Sequence, residues 1–219
     1  MAADPLPLTL SHLTTGTVLI GTLVLIFNIT WLTARQESEM AALAVERAAL
    51  EVERRSQHEE LVHTANHDPL TQTLNRYGLY QKLERSLRSS GPRALTAVIY
   101  VDLDYFKPVN DRHGHAAGDH LLQLTAQRLA GLLRADDSVA RIGGDEFILV
   151  LERVDDPQLP DDVAARVDSA LRQPFHLGDV VVRISGSIGS AVAADGSVTA
   201  DELLQRADAA MYTAKKMRK

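Results

Sequence analysis

The chain has 219 residues, is 45% hydrophobic and carries a formal net charge of −6. That length suits one medium domain plus something smaller, and the acidic balance, with no broad basic stripe, argues against a nucleic-acid partner. With no cysteine there is neither a disulfide framework nor a thiolate metal site, so any metal must be held by oxygen or imidazole ligands.

The first element in chain order is apolar. From Leu13 to Ala34 there is no Asp, Glu, Lys, Arg or His, and the centre reads LIGTLVLIFNITWL. As a helix this stretch rises roughly 33 Å, against a hydrocarbon core of about 30 Å. Trp31 falls near one end, where an interfacial aromatic is favoured. A buried soluble helix and a signal peptide are the alternatives. The rest of the chain has no need for so long an apolar helix. No Lys or Arg precedes it, and WLTAR is a poor cleavage site. The reading is a transmembrane helix over 13–34. Arg35 and Arg47 follow the span, so the positive-inside rule leaves 1–12 as a short extracytoplasmic segment and puts the rest in the cytoplasm, at the inner membrane.

Residues 35–65 contain no Gly or Pro and are rich in Ala, Leu, Glu and Arg, which favours helix. Met40, Leu43, Leu50 and Leu61 form an apolar stripe interrupted by Arg47 and Arg54. A single solvated helix fits. A weak parallel coiled coil fits the stripe better.

NHDPLTQTLNR (66–76) breaks that helix at Pro69, and the remainder to Lys219 has the length of a normal single domain. Its pattern predicts a helix from Tyr77 to about Ser89 and an apolar strand over 94–104. A helix over roughly 116–134, a hairpin over 139–152 and a helix over roughly 161–173 follow. A long alternating strand or pair over 179–194 and a helix over about 199–216 complete it. Strands and helices in this order imply an α+β fold, a sheet with helices packed on it.

Two stretches carry chemistry. In VARIGGDEFILVLE (139–152), Gly143 and Gly144 mark a tight turn, and Asp145 and Glu146 follow at the seam. Acids beside a turn are ordinarily just solvated. In VIYVDLDYFKPVNDRHGHAAGD (98–119), an apolar strand ends in Asp102-Leu103-Asp104, and residues two apart on a strand share a face. A charged loop after a strand is the plain explanation. If the two stretches lie on neighbouring strands, however, three or four carboxylates meet. Carboxylates at close range repel unless a cation holds them together. A magnesium–nucleotide site resolves this, and phosphoryl transfer is the chemistry it serves.

RIGGDEF, DLDYFKPVNDRHGHAAGD and DPLTQTLNR together resemble the GGDEF family of diguanylate cyclases, over about residues 66–219. The resemblance implies a fold like the palm of nucleotide cyclases and polymerases. It implies a homodimer that condenses two GTP into cyclic di-GMP and releases two pyrophosphates. Mg²⁺, with Mn²⁺ as an alternative, would be held by Asp102, the Leu103 carbonyl and Asp145. Glu146 would lie close to nucleotide and metal. Asn110 and Asp119 would read the guanine edge, and Phe106, Lys107 and Lys215 would stand at the phosphates. Gly143 and Gly144 would let the backbone approach the ligand. The proton acceptor for the 3′-hydroxyl is either Asp145 or a metal-bound water.

Arg134 and Asp137, in RADDSVARIGG, match the family's product-inhibition site, with Arg166 as a further contact. An i,i+3 ion pair at a helix end is the alternative. His113, His115 and His120 are not expected to form a zinc site. The chain closes in KKMRK, where Lys219 takes a place at which an arginine often contacts phosphate. The competing functional readings are a non-enzymatic receptor for cyclic di-GMP or GTP, and a membrane-anchored scaffold that uses its coil alone.

Overall fold

A computed structural model of the chain describes residues 7–89, 95–193 and 198–217, with backbone only for 7–15 and for Ala42. Lys219 and residues 1–6 lie outside the described residues. The chain divides into two units, Met1–Glu59 and Glu60–Lys219.

The first unit is helix throughout its described part. It belongs to α1 (Pro7–Asn66), which also takes in residues 7–12 of the expected outer segment. Its apolar window has a mean hydropathy of 1.9 and is not buried at all. Val18, Leu25, Phe27 and Trp31 stand exposed. The polar side chains inside this window fold back on their own helix. Thr22 donates to the Val18 carbonyl, Asn28 to Val24 and Thr30 to Ile26. Those polar groups are thereby satisfied without water, as an apolar environment requires.

The second unit is built on one sheet. Its elements are α2 (Arg76–Ser89), β1 (Leu95–Asp104), α3 (Phe106–His113), α4 (His115–Ala130), β2 (Ser138–Gly143) and β3 (Glu146–Val154). α5 (Leu159–Leu171), β4 (Phe175–Leu177), β5 (Val180–Val182), β6 (Ser185–Ala193) and α6 (Ala200–Met217) follow. The strand order is β2-β3-β1-β6, antiparallel throughout, and β4 pairs with β5 in a separate ribbon. The alternation of β1 decides the layering. Ala97, Ile99, Val101 and Leu103 face α4 and α5. Val98 and Tyr100 face α2 and α6. Helices therefore cover both faces of the sheet, which explains why β1 reads as a continuous apolar run.

Two elements were not expected. Pro108 reads as a helix breaker, yet it sits in the first turn of α3, where its missing N–H has no helical partner to lose. Gly114, at φ 84°, separates α3 from α4. β4 has three residues, too few for periodicity to register.

One glycine sets the distance between layers. A Cβ at Gly189 on β6 would collide with the Met211 amide and the Ala207 carbonyl of α6. Neither backbone atom can swing aside. Gly189→Ala is expected to cost roughly 3 kcal/mol by overpacking, a drop of about 6–12 °C in melting midpoint. Calorimetry of the variant checks this.

Candidate active site

The sheet brings the two acidic stretches together. β1 runs antiparallel to β3, with Asp102 directly opposite Glu146. β2 and β3 form the hairpin, in which Gly143 pairs with Glu146 and leaves Gly144 and Asp145 as the turn. Gly144 has φ 52°, a left-handed conformation that favours glycine. The turn is tied back to β1, because the Leu103 amide donates to the Asp145 carbonyl at 3.1 Å. Three carboxylates, from positions 102, 145 and 146, thus converge at one end of the sheet.

Charge shapes this corner. Asp102 is only 8% exposed, and its two oxygens accept from Lys215 Nζ of α6 at 2.7 and 2.8 Å. That bond, aided by the charges of Asp102 and its acidic neighbours, raises the Lys215 ammonium pKa. Burial pushes the Asp145 carboxyl up, and the Asp102 charge adds to the push. Glu146 is raised as well, by burial first and then by Asp102, Asp145 and Asp208, against a hydrogen bond from Tyr100. Asp104 accepts from Ser185 Oγ and Ser187 Oγ, both at 2.8 Å, so β6 holds it.

A cleft of about 520 Å³ opens over this corner, and Asp102, Leu103, Phe106, Lys107, Asp145 and Lys215 all line it. Glu146 lies beside it on the sheet. Tyr105 and Arg172 also line it, although no motif points to either. Tyr105 starts α3 at φ 65°, a conformation uncommon outside glycine. Arg172 comes from the end of α5, where it pairs with Asp168 at 2.8 Å, and no motif or spacing links it to Asp102. Asn110 and Asp119 do not line the cleft. Asn110 lies on α3 and Asp119 on α4; the Asn110 side chain lies against Gly118, and its Oδ1 is buried with no hydrogen-bond partner.

The corner is also fastened to the segment after α1. Leu74 hydrogen-bonds to β2 on both sides, accepting from Arg141 and donating to Val139. The Arg141 guanidinium reaches Asp68 at 3.1 and 3.3 Å and the Gly144 carbonyl at 2.8 and 3.0 Å. One side chain therefore joins the post-helix segment to the acidic turn.

Arg134 and Asp137 lie elsewhere, in a pocket of about 300 Å³ that also includes His67 and Thr73. The Asp137 carboxylate accepts from the Arg134 amide and from the Glu152 amide, both at 3.1 Å. Asp137 is thus a backbone cap. Arg166 donates to the Leu132 carbonyl at 2.6 Å, beside the same turn.

The profile of the family described as "Diguanylate cyclase, GGDEF domain" matches residues 65–219. The chain belongs to the GGDEF family. A bifunctional diguanylate cyclase/cyclic di-GMP phosphodiesterase, MucR of Pseudomonas aeruginosa, is 41% identical over 157 residues, 71% of this chain and 23% of that protein. The diguanylate cyclase TpbB of the same species is 41% identical over 158 residues, 71% of this chain and 36% of its own length. The chain therefore spans well under half the length of these GGDEF relatives. Among solved structures, a sensory box/GGDEF family protein of Caulobacter crescentus is 38% identical, covers 69% of this chain and 99% of its own, and superposes with TM-score 0.65. The diguanylate cyclase SiaD of P. aeruginosa, solved with its activator SiaC, is 27% identical, covers 96% of this chain and 82% of its own, with TM-score 0.70.

The donor set of the GGDEF hairpin can be tested against the needs of a divalent cation. Among the described residues, no three carboxylate or imidazole groups stand close enough to hold an ion by themselves. Mg²⁺ is typically held by one or two carboxylates together with water and substrate phosphate. Asp102, buried, and Asp145, half-buried, line one cleft with like charges close by and fit that donor set.

Proposed function

We propose that this protein is a diguanylate cyclase, condensing two GTP into cyclic di-GMP and two pyrophosphates. The observation that carries the reading is the convergence of Asp102, Asp145 and Glu146 beside a cleft lined by Lys107 and Lys215. Asp102, the Leu103 carbonyl and Asp145 would hold Mg²⁺ or Mn²⁺, which when bound neutralises phosphate charge and orients the triphosphate. Lys107 and Lys215 balance the remaining phosphate charge, with Phe106 closing that side. Asn110, whose Oδ1 is buried without a partner, and Asp119 face the guanine. In each of two steps a 3′-oxygen bonds to an α-phosphorus and a pyrophosphate leaves. Asp145 accepts the proton.

The described residues form one such cleft and the product needs two nucleotides, so the working form is a homodimer. The helix over 35–65 serves as its coiled coil, and the apolar helix over 13–34 anchors it in the inner membrane, raising the local concentration of the second domain. On this reading the cyclase domain is 66–219. The full chain in detergent, freed of nucleotide and given GTP and Mg²⁺, should yield cyclic di-GMP and pyrophosphate in a 1:2 ratio. A folded dimer that makes neither refutes the reading.

Product inhibition belongs to the same proposal. Arg134 and Asp137 share a pocket remote from the acids, and Arg166 abuts it. Arg134→Ala leaves the backbone bonds to Asp137 intact. It is expected to leave the initial rate near wild type while raising the inhibitory cyclic di-GMP concentration about tenfold, the scale of one lost charge-assisted contact. Rate against added product gives the answer.

A further inference from the structure

Glu146 is surrounded by its own sign of charge. Asp102, Asp145 and Asp208 all act on it unfavourably, and the Lys215 ammonium is engaged with Asp102. A carboxylate so placed needs a donor to keep it in one rotamer. The strand register supplies one. Tyr100 and Asp102 are two apart on β1 and share a face, and Tyr100 pairs with Ile148 while Asp102 pairs with Glu146. Tyr100 is thus the diagonal neighbour of Glu146, within reach of a long side chain. Its hydroxyl acts favourably on the Glu146 carboxylate, the reverse of the acids around it.

The rest of Tyr100 is core. It is 8% exposed and packs in the cluster formed with α2 and α6. A phenylalanine fills the same space, so packing does not call for the hydroxyl. The tyrosine hydroxyl supplies one hydrogen-bond donor. It borders a cavity of about 250 Å³ on the side of the sheet covered by α2 and α6, lined also by Arg76, Tyr80, Asp201 and Asp208.

We propose that Tyr100 is a positioning residue for Glu146: its hydroxyl holds that carboxylate beside Asp102 and so sets the affinity of the site for a metal–nucleotide complex. The inference rests on the cyclase reading, in which Glu146 stands next to nucleotide and metal. It assigns work to a residue of the core strand that carries no signature motif.

The test is a double-mutant cycle read by binding. The full chain in detergent is titrated with the Mn²⁺ complex of a GTP analogue whose α,β-bridging oxygen is replaced by methylene, and bound Mn²⁺ is followed by electron paramagnetic resonance. Tyr100→Phe is expected to weaken binding about tenfold, the lower end of what losing an outer partner of a metal site costs. In a Glu146→Ala background the same change is expected to do nothing, because the group it positions is gone. Tyr80→Phe is the control. It removes a hydroxyl lining the same cavity, bonded to Asp201 at 2.6 Å, and is expected to leave binding unchanged. An unchanged affinity in Tyr100→Phe overturns the proposal. So does an equal loss in both backgrounds, or an equal loss in Tyr80→Phe, since each marks a general effect on the fold. Failure of the cyclase reading shows separately, as a wild-type chain that binds the complex but forms no cyclic di-GMP, or does not bind it.

Discussion

Asp145→Ala is expected to lower cyclic di-GMP formation about 10³-fold or more while leaving the melting midpoint unchanged or slightly higher, a loss of the several kcal/mol that charge stabilisation at such a site supplies. Both halves follow from where Asp145 sits. It is a turn residue outside the strand register, so no ladder bond depends on its side chain. Its main tie to β1 is through its backbone carbonyl, which accepts from the Leu103 amide, and alanine keeps that bond. Its carboxyl, by contrast, is raised by burial and by Asp102. Ionising it next to other acids costs the folded state free energy, and alanine removes that cost. Activity and stability therefore move independently, the mark of a group retained for chemistry. Rate measured beside thermal unfolding checks both. A chain that unfolds on Asp145→Ala, or keeps its rate, contradicts the assignment.

Arg141→Met is the second large effect. Arg141 keeps the catalytic turn in place through the Gly144 carbonyl and holds the segment after α1 through Asp68. The Arg141 and Asp68 side chains are 14% and 19% exposed, so the pair is sheltered from solvent. Methionine keeps the length and removes every donor. The variant is expected to lose roughly 2 kcal/mol of stability, as for hydrogen bonds to a charged group. Its rate is expected to fall about 10²-fold, because the turn that carries Asp145 can then shift by an ångström or so. Asp68 gives the same link a pH signature. Burial alone raises its carboxyl, but hydrogen bonds from Thr71 and Arg141 outweigh that and leave it below the ordinary value. A depressed carboxyl stabilises the fold above its unfolded pKa of about 4 and loses that contribution as pH falls through the folded value. Wild type should therefore shed stability on acidification below about pH 4 that Asp68→Asn lacks from the start. Denaturant midpoints at stepped pH compare the two.

Much of this was legible in the sequence, for reasons that differ by element. The strand of β1 announced itself because both faces are buried, so seven consecutive apolar or neutral positions, Leu95 to Val101, precede Asp102. The hairpin was legible because Gly143 and Gly144 leave few other conformations. That Asp102 and Asp145 share a site was a conditional inference on strand adjacency, and the β1–β3 pairing meets the condition. What stayed hidden was long-range. Arg172 reaches the cleft only because α5 ends there. Tyr100 meets Glu146 only through the register of two strands. Arg141 looks like an ordinary polar residue of a half-exposed strand until the Gly144 carbonyl folds back over it. The R-x-x-D spacing suggests a product site or an ion pair for Asp137 and does not show that its oxygens cap backbone amides, a use that depends on how β2 begins.

The central place of β1 has a consequence for how the chain is made. Both of its hydrogen-bonding edges await partners that are synthesised later, β3 beginning at Glu146 and β6 at Ser185. Until then LTAVIYV emerges as an apolar strand with both edges open, the kind of segment that pairs with a neighbouring copy. The residues that end it are Asp102 and Asp104. Charges flanking an unavoidable hydrophobic strand act as gatekeepers against such pairing. The same carboxylates that later line the cleft thus protect the nascent chain first, and neutralising them is a change felt on the ribosome as well as in the folded protein.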